Sequence, residues 1–230
     1  MAKSATAVST NLVASTDTLP AHLQAVEGVG RGNENVGNAV QIPRIKLLQK
    51  MSNEVDQHHT AYIKGSEPGQ FLNTVTGENY GTDLYALSIT FKTEYVVWRQ
   101  LDLGGGYLGA FPTLGEANAR VAEQDKPEEY EISETHSHVL LLKNPETGAL
   151  DRAPSVMDFD KSKLRVSKAW NAQIGMKGGD RFACLWKVSG VPTENRSGKA
   201  FMNCEVSYVG FAQEADYKAA ETMYEQFQDS

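Results

Sequence analysis

The chain has 230 residues, 40% of them apolar and 22% charged, which matches a globular protein with room for one sizeable core. No run approaches the roughly 18 apolar residues of a membrane helix, residues 1–14 lack the apolar stretch of a secretory signal, and two cysteines, Cys184 and Cys204, are too few for a disulfide framework. The net charge of −7 argues against a nucleic-acid partner, and a soluble protein of a reducing compartment is expected.

Residues 1–40 are rich in Ser, Thr, Gly and Asn and read as a disordered tail, with at most a short helix over Thr18–Val26. Gly28-Val29-Gly30-Arg31-Gly32 is not a phosphate loop, because no strand precedes it and no Lys-Ser/Thr follows. From residue 41 the pattern turns to β. Ile42, Ile45, Leu47 and Leu48, entered through Pro43, predict a strand. Tyr62 and Lys64 fall in another. Phe71-Leu72-Asn73 predicts a strand running into the turn Thr76-Gly77-Glu78-Asn79. Leu84–Phe91 alternates with period two, and Glu94–Arg99 is rich in β-formers.

Gly104-Gly105-Gly106 breaks the chain, and Leu114–Gln124 predicts a short helix. Val139–Lys143 predicts a strand closed by the turn Asn144–Gly148. A helix is expected over Asp160–Met176 with Asp160 as its N-cap. Strands over Arg181–Val188 and Lys199–Phe211 flank the turn Glu194–Gly198, and Gln213–Gln228 forms an acidic amphipathic C-terminal helix. The class is α+β: a mainly antiparallel sheet, an open twisted sheet or partly closed barrel, with an inserted helix and an appended one. The organisation is a tail over 1–40, a core over 41–212 and a helix over 213–230.

Charge is uneven. Residues 114–135 hold seven acids against Arg120 and Lys126, residues 213–230 hold five against Lys218, and the rest of the core sums to about +3. His136 and His138 share one face of a strand, but no zinc spacing accompanies them or the cysteines. They read as half-exposed strand histidines and buried thiols. No nucleophile turn or acid–base motif appears, so no enzyme, cofactor or metal is expected. Lys161, Arg165 and Lys168 fall within about 60° on the expected helix, opposite Val166, Trp170 and Ile174. Such a stripe suits a phosphate backbone, and equally a solvated face. Aromatics alternate with cations at Tyr62/Lys64, Tyr95/Trp98/Arg99, Trp186/Lys187 and Lys199/Phe201, a mixture that single-strand binders use. Ala219, Met223 and Phe227 form an apolar stripe on the last helix, for which a second subunit is the expected cover.

Three segments carry a family resemblance. Pro43-Arg44-Ile45-Lys46-Leu47-Leu48-Gln49 is followed by Gly69-Gln70-Phe71-Leu72-Asn73 and Thr76-Gly77-Glu78-Asn79-Tyr80-Gly81. Then come Ser162–Asn171 and Phe182-Ala183-Cys184-Leu185-Trp186-Lys187-Val188, with Asn195 and Gly198 beyond. Over residues 41–212 this order resembles a group of phage and prophage proteins, some described as single-stranded DNA-binding proteins. A related binder in podoviruses that package their own RNA polymerase recruits a second phage polymerase to melted promoters. The resemblance implies a non-enzymatic binder of single-stranded DNA in the host cytoplasm, serving transcription or replication, with phage polymerase or replication proteins as partners. The other reading is a virion or assembly protein that binds no nucleic acid. From charge and rings alone, the DNA-contacting residues are expected to be Arg44, Lys46, Lys64, Trp98, Arg99, Lys161, Arg165, Lys168, Lys187 and Lys199. Trp98 is the first choice for stacking.

Overall fold

The computed structural model describes residues 42–228; the expectations for the N-terminal tail lie outside them. Eight strands and three helices follow in the order β1 (Arg44–Leu47), β2 (Phe71–Asn73), β3 (Asp83–Arg99), β4 (Tyr107–Phe111), α1 (Leu114–Ala122), β5 (Tyr130–Leu142), β6 (Ser155–Asp160), α2 (Leu164–Lys177), β7 (Cys184–Glu194), β8 (Ala200–Phe211) and α3 (Glu214–Gln228). The strands form one sheet, β2-β1-β6-β5-β3-β7-β8, with β4 on the far end of β3. It curls into a half-barrel. This is the α+β class expected from the sequence. One pair departs from the antiparallel pattern, since β1 runs parallel to β6.

Several elements differ from their sequence reading. The two strands expected over Leu84–Phe91 and Glu94–Arg99 are one strand of 17 residues, continuous through a bulge between Ser88 and Thr90. Strand β5 begins at Tyr130, nine residues before its expected start, and β4 and β6 were not anticipated. Tyr62 and Lys64 lie in turns, not in a strand. The expected helix start moves as well. Lys161 has φ of 47°, a left-handed value that breaks helical continuity. A 3-10 turn spans Lys161–Lys163 and α2 begins at Leu164. Asp160 makes no cap bond; its carboxylate pairs with Lys163 at 2.9 Å.

Each sheet face has its own core. On one, Trp170, Val166 and Ile174 of α2 pack on Leu84, Ala86, Leu140, Phe159 and Trp186. On the other, Ala220, Tyr217, Met223 and Phe227 of α3 cover Leu87, Ile89, Val139, Leu141 and Phe182. A partly buried ion pair, Lys143–Asp216, fastens α3 to the end of β5. The apolar stripe of α3 is therefore occupied by its own sheet and offers no ground for a second subunit there. Its buried centre is Ala220, while Ala219 is exposed.

The half-barrel is bridged across its opening by one side chain. The Gln49 amide donates to the Met202 carbonyl and accepts from the Met202 N–H, both at 2.9 Å. This amide stands in for a neighbouring strand at the edge of β8. Close by, a Cβ at position 190 would lie 2.0 Å from the Gly69 carbonyl oxygen, so the chain can pass here only with glycine. Gln49→Ala should lower stability by about 1–2 kcal/mol, the net worth of two hydrogen bonds, in urea titrations. Trp170→Ala empties a fully buried site and should cost about 3–5 kcal/mol in the same measurement.

Candidate nucleic-acid interface

Helix α3 covers only one end of its sheet face. Beyond it the face is open, forming a groove of about 480 Å³ across β3, β5, β6 and β1. Val96 and Trp98 of β3, Ala110 and Tyr107 of β4, and Thr135 and Ser137 of β5 line it. Arg44, Lys163, Asp158, Asp160 and Glu94 stand around them. Trp98 is 43% exposed and Tyr107 61%. Their rings meet edge to face with centroids 5.3 Å apart, a geometry the ring quadrupoles favour. The β3–β4 hairpin holds the pair, and its tip, Gly104–Gly106, has positive φ throughout, which glycine adopts without strain.

The cations named from the sequence divide into paired and unpaired. Arg44 is held by Asp158, whose second oxygen accepts from Ser137 at 2.7 Å. Lys46 bonds both oxygens of Glu54 at 2.8 Å, and Lys187 pairs with Asp83 at 2.9 Å. Arg99 follows Trp98 in sequence, but period two turns it to the opposite face. There Glu129 accepts from it at 2.9 and 2.5 Å, and Lys126 and Arg99 together hold the Glu129 carboxyl below its ordinary range. Lys64 and Lys199 are exposed in turns and make no ion pair among the described residues.

The stripe Lys161/Arg165/Lys168 is not a free row of charge. The positive φ at Lys161 removes it from the α2 register, and its ammonium pairs with Glu131 at 3.0 Å. Lys168 faces Glu134 at 3.4 Å. Arg165 alone of the three makes no ion pair among the described residues, and it lines a second groove, with Arg196, between α2 and the β7–β8 hairpin.

Beneath α2 lies a buried polar chain. Arg181 can only donate; it donates to Ser88 at 2.8 Å, Asn171 at 2.7 Å and Nδ1 of His138 at 3.1 Å. His138 must then carry its proton on Nε2, and it donates to Ser167 Oγ at 2.7 Å. Ser167 donates in turn to His136 Nδ1 at 2.8 Å. His136 Nε2 donates to Glu134 at 3.0 Å. Burial pushes the Glu134 carboxyl up, but bonds from His136 and Lys168 hold it below its ordinary value. Both histidines are buried, not half-exposed, and His138 stacks on Trp170 with centroids 4.4 Å apart. The order Glu134–His136–Ser167 is that of an acid, base and nucleophile. Yet Ser167 is 0% exposed, and its hydroxyl is engaged on both sides. The chain ties α2 to β5 and β3. Serine at a buried helix position facing two strand histidines was the sequence signal for it.

The model of a family described as Pam3 phage gp34-like protein matches residues 9–230. The chain belongs to this family. It is therefore a phage protein, and the family pattern reaches well into the N-terminal segment that the sequence resemblance left uncovered. No curated protein and no solved structure matches the chain. No described helix of this gp34-like protein is long and apolar enough to cross a membrane.

Burial, then the charges of Arg181 and His136, push the His138 pKa down to about 2. In the unfolded chain a histidine titrates near 6.5, so below that pH the unfolded state binds a proton that the folded state refuses. Stability should thus fall by about 1.4 kcal/mol per pH unit as pH drops from about 6.5 toward about 2. Urea titrations from neutral pH to about pH 4 should show this acid limb, and His138→Gln should flatten it.

Proposed function

We propose that this phage protein binds single-stranded DNA without catalysing a reaction, and that bases stack on Trp98 and Tyr107 while the backbone passes Arg44 and Lys163. The observation that carries this reading is the exposed ring pair on an uncovered sheet face, flanked by cations. Flat rings accept any base face, so little sequence preference is expected. A groove of about 480 Å³ suits a few unstacked bases and not a duplex. The carboxylates of the groove are already engaged, Asp158 by Arg44 and Ser137 and Asp160 by Lys163. Exposed ion pairs of this kind are worth about 0–1 kcal/mol each, so a phosphate can displace the acid from its cation. The sequence resemblance supports a role in the host cytoplasm in transcription, by recruiting a polymerase, or in replication. A virion or assembly protein is the second reading, favoured by the exposed Leu101 and Leu103 at the hairpin tip. Stoichiometric recovery from purified virions without DNA affinity would establish it instead.

Trp170 and Trp186 are fully buried, so Trp98 is the tryptophan that an added strand can reach. Titration with oligo-dT should quench its fluorescence. Trp98→Ala should weaken binding by about 1–3 kcal/mol and leave the salt slope nearly unchanged. Replacing the already paired Lys161 and Lys168 by Ala should matter less. Absence of binding at micromolar protein and low salt would sink the proposal.

A further inference from the structure

Strand β8 is an edge strand of 12 residues, Ala200–Phe211, paired only with β7. Natural edges are commonly blunted with Lys, Pro or short length. This edge has one charged residue, Glu205, and no Lys, Arg or Pro. Its backbone is covered at two points only. Met202 is bonded through both polar groups to Gln49, and the Cys204 N–H bonds the side chain of Asn203 at 2.9 Å. The orientation of the rest follows from the ladder. Met202 lies opposite Pro192, which has no N–H, in a pair whose polar groups point away from each other. Cys204–Gly190 and Val206–Val188 repeat that pair two and four residues on. The N–H and C=O of Val206 therefore point outward.

Outward here means into the groove between β8 and α2, about 710 Å³ in volume. Asn203, Cys204, Glu205 and Val206 all line it. Four consecutive residues of a strand can do so only along its edge, because side chains alternate between faces. Arg165 of α2 and Arg196 of the hairpin turn also line it, as do Glu194 and Glu205. None of these four makes an ion pair among the described residues. Charges of both signs are thus left over in one groove. A nucleic acid would answer the arginines but be repelled by the glutamates, and an acidic peptide likewise. A second copy of the same edge supplies both signs reciprocally.

We propose that two copies of this chain pair β8 to β8 antiparallel about Val206, extending the sheet across a two-fold axis, with Glu205 of each copy reaching toward Arg165 of the other. In this register Glu205 lies opposite Ser207 of the second copy, so the two glutamates are not set against each other. The exposed Phe211 lies opposite Phe201 of the second copy, which brings two rings together.

Sedimentation velocity on the full chain without DNA should show a dimer at tens of micromolar, a typical affinity for a modest interface. Hydrogen exchange at the Val206 amide should slow as concentration rises. Arg165→Glu and Glu205→Arg should each raise the dimer dissociation constant about tenfold or more, and the double variant should restore it. Circular dichroism of the single variants controls for folding. A monomer at every concentration overturns the proposal, as does a dimer indifferent to both variants. If the chain is monomeric and Arg165→Glu instead weakens oligo-dT binding, the groove belongs to nucleic acid and the dimer is refuted. Because the dimer is read without DNA, its failure leaves the single-strand proposal standing, and the reverse also holds.

Discussion

One extra residue in β3 decides which way the protein's exposed tryptophan faces. Up to the bulge, Leu84 and Ala86 point to the α2 side with Trp170 and Trp186. The register with β5 then slips by one between Ser88 and Thr90. Past the slip, parity is reversed: Phe91 contacts His136 and His138 on the α2 side, and Val96 and Trp98 turn to the open face. A strand without the bulge would send Trp98 toward α2 and bring Arg99 to the open face instead. A one-residue slip exchanges the two faces of everything beyond it. The bulge also lets one strand of 17 residues serve two roles, its first half under both helices and its second half as an uncovered platform.

This slip explains part of what could be read in the sequence and what could not. Period two was visible over Leu84–Phe91, and the positions of β1, β2, β7, β8, α1 and α3 followed from apolar runs and turn residues. Trp170 was legible as core because Val166 and Ile174 share its face at helical spacing. A bulge leaves no local signature when both faces are apolar, as at Ser88-Ile89-Thr90, so two strands were expected where one exists. Strand β4, Tyr107–Phe111, carries two glycine-flanked aromatics and no clear alternation. The N-terminal half of β5 is acidic, Tyr130-Glu131-Ile132-Ser133-Glu134, and acidity is depleted in strands. The parallel β1–β6 contact joins segments more than a hundred residues apart, which no local pattern encodes.

Charge was the least legible property, for a related reason. Summed by segment, the acids of 114–135 stand apart from a mildly basic body. In the fold, β5 carries Glu131 and Glu134 to Lys161 and Lys168, and Glu129 meets Arg99 and Lys126. The acidic segment and the basic stripe are neighbours and neutralise one another. A helical wheel also assumes that all its residues are helical, and Lys161 is not. Arg165 survives as an unpaired cation because the strand residues nearest its turn of α2 belong to β8, which holds a single acid.

The two grooves lie on different parts of the sheet, and this bears on how they would work together. The ring pair sits on the α3-side face near the β3–β4 hairpin, whereas the β8 edge borders the α2 side. Antiparallel pairing of two edges places directly opposed residues on the same face of the joined sheet. A two-fold pair through β8 would therefore present both Trp98-bearing faces on one side of a continuous sheet. A single strand of DNA spanning them would meet the second site at the high effective concentration set by the first, and its affinity would rise without any new contact. The fixed distance between the sites would also favour oligonucleotides long enough to reach both. Overall acidity is no obstacle to such a binder, because binding through rings depends on stacking area and not on net charge. The remaining negative charge would discourage duplex DNA, which offers phosphates but no free base faces.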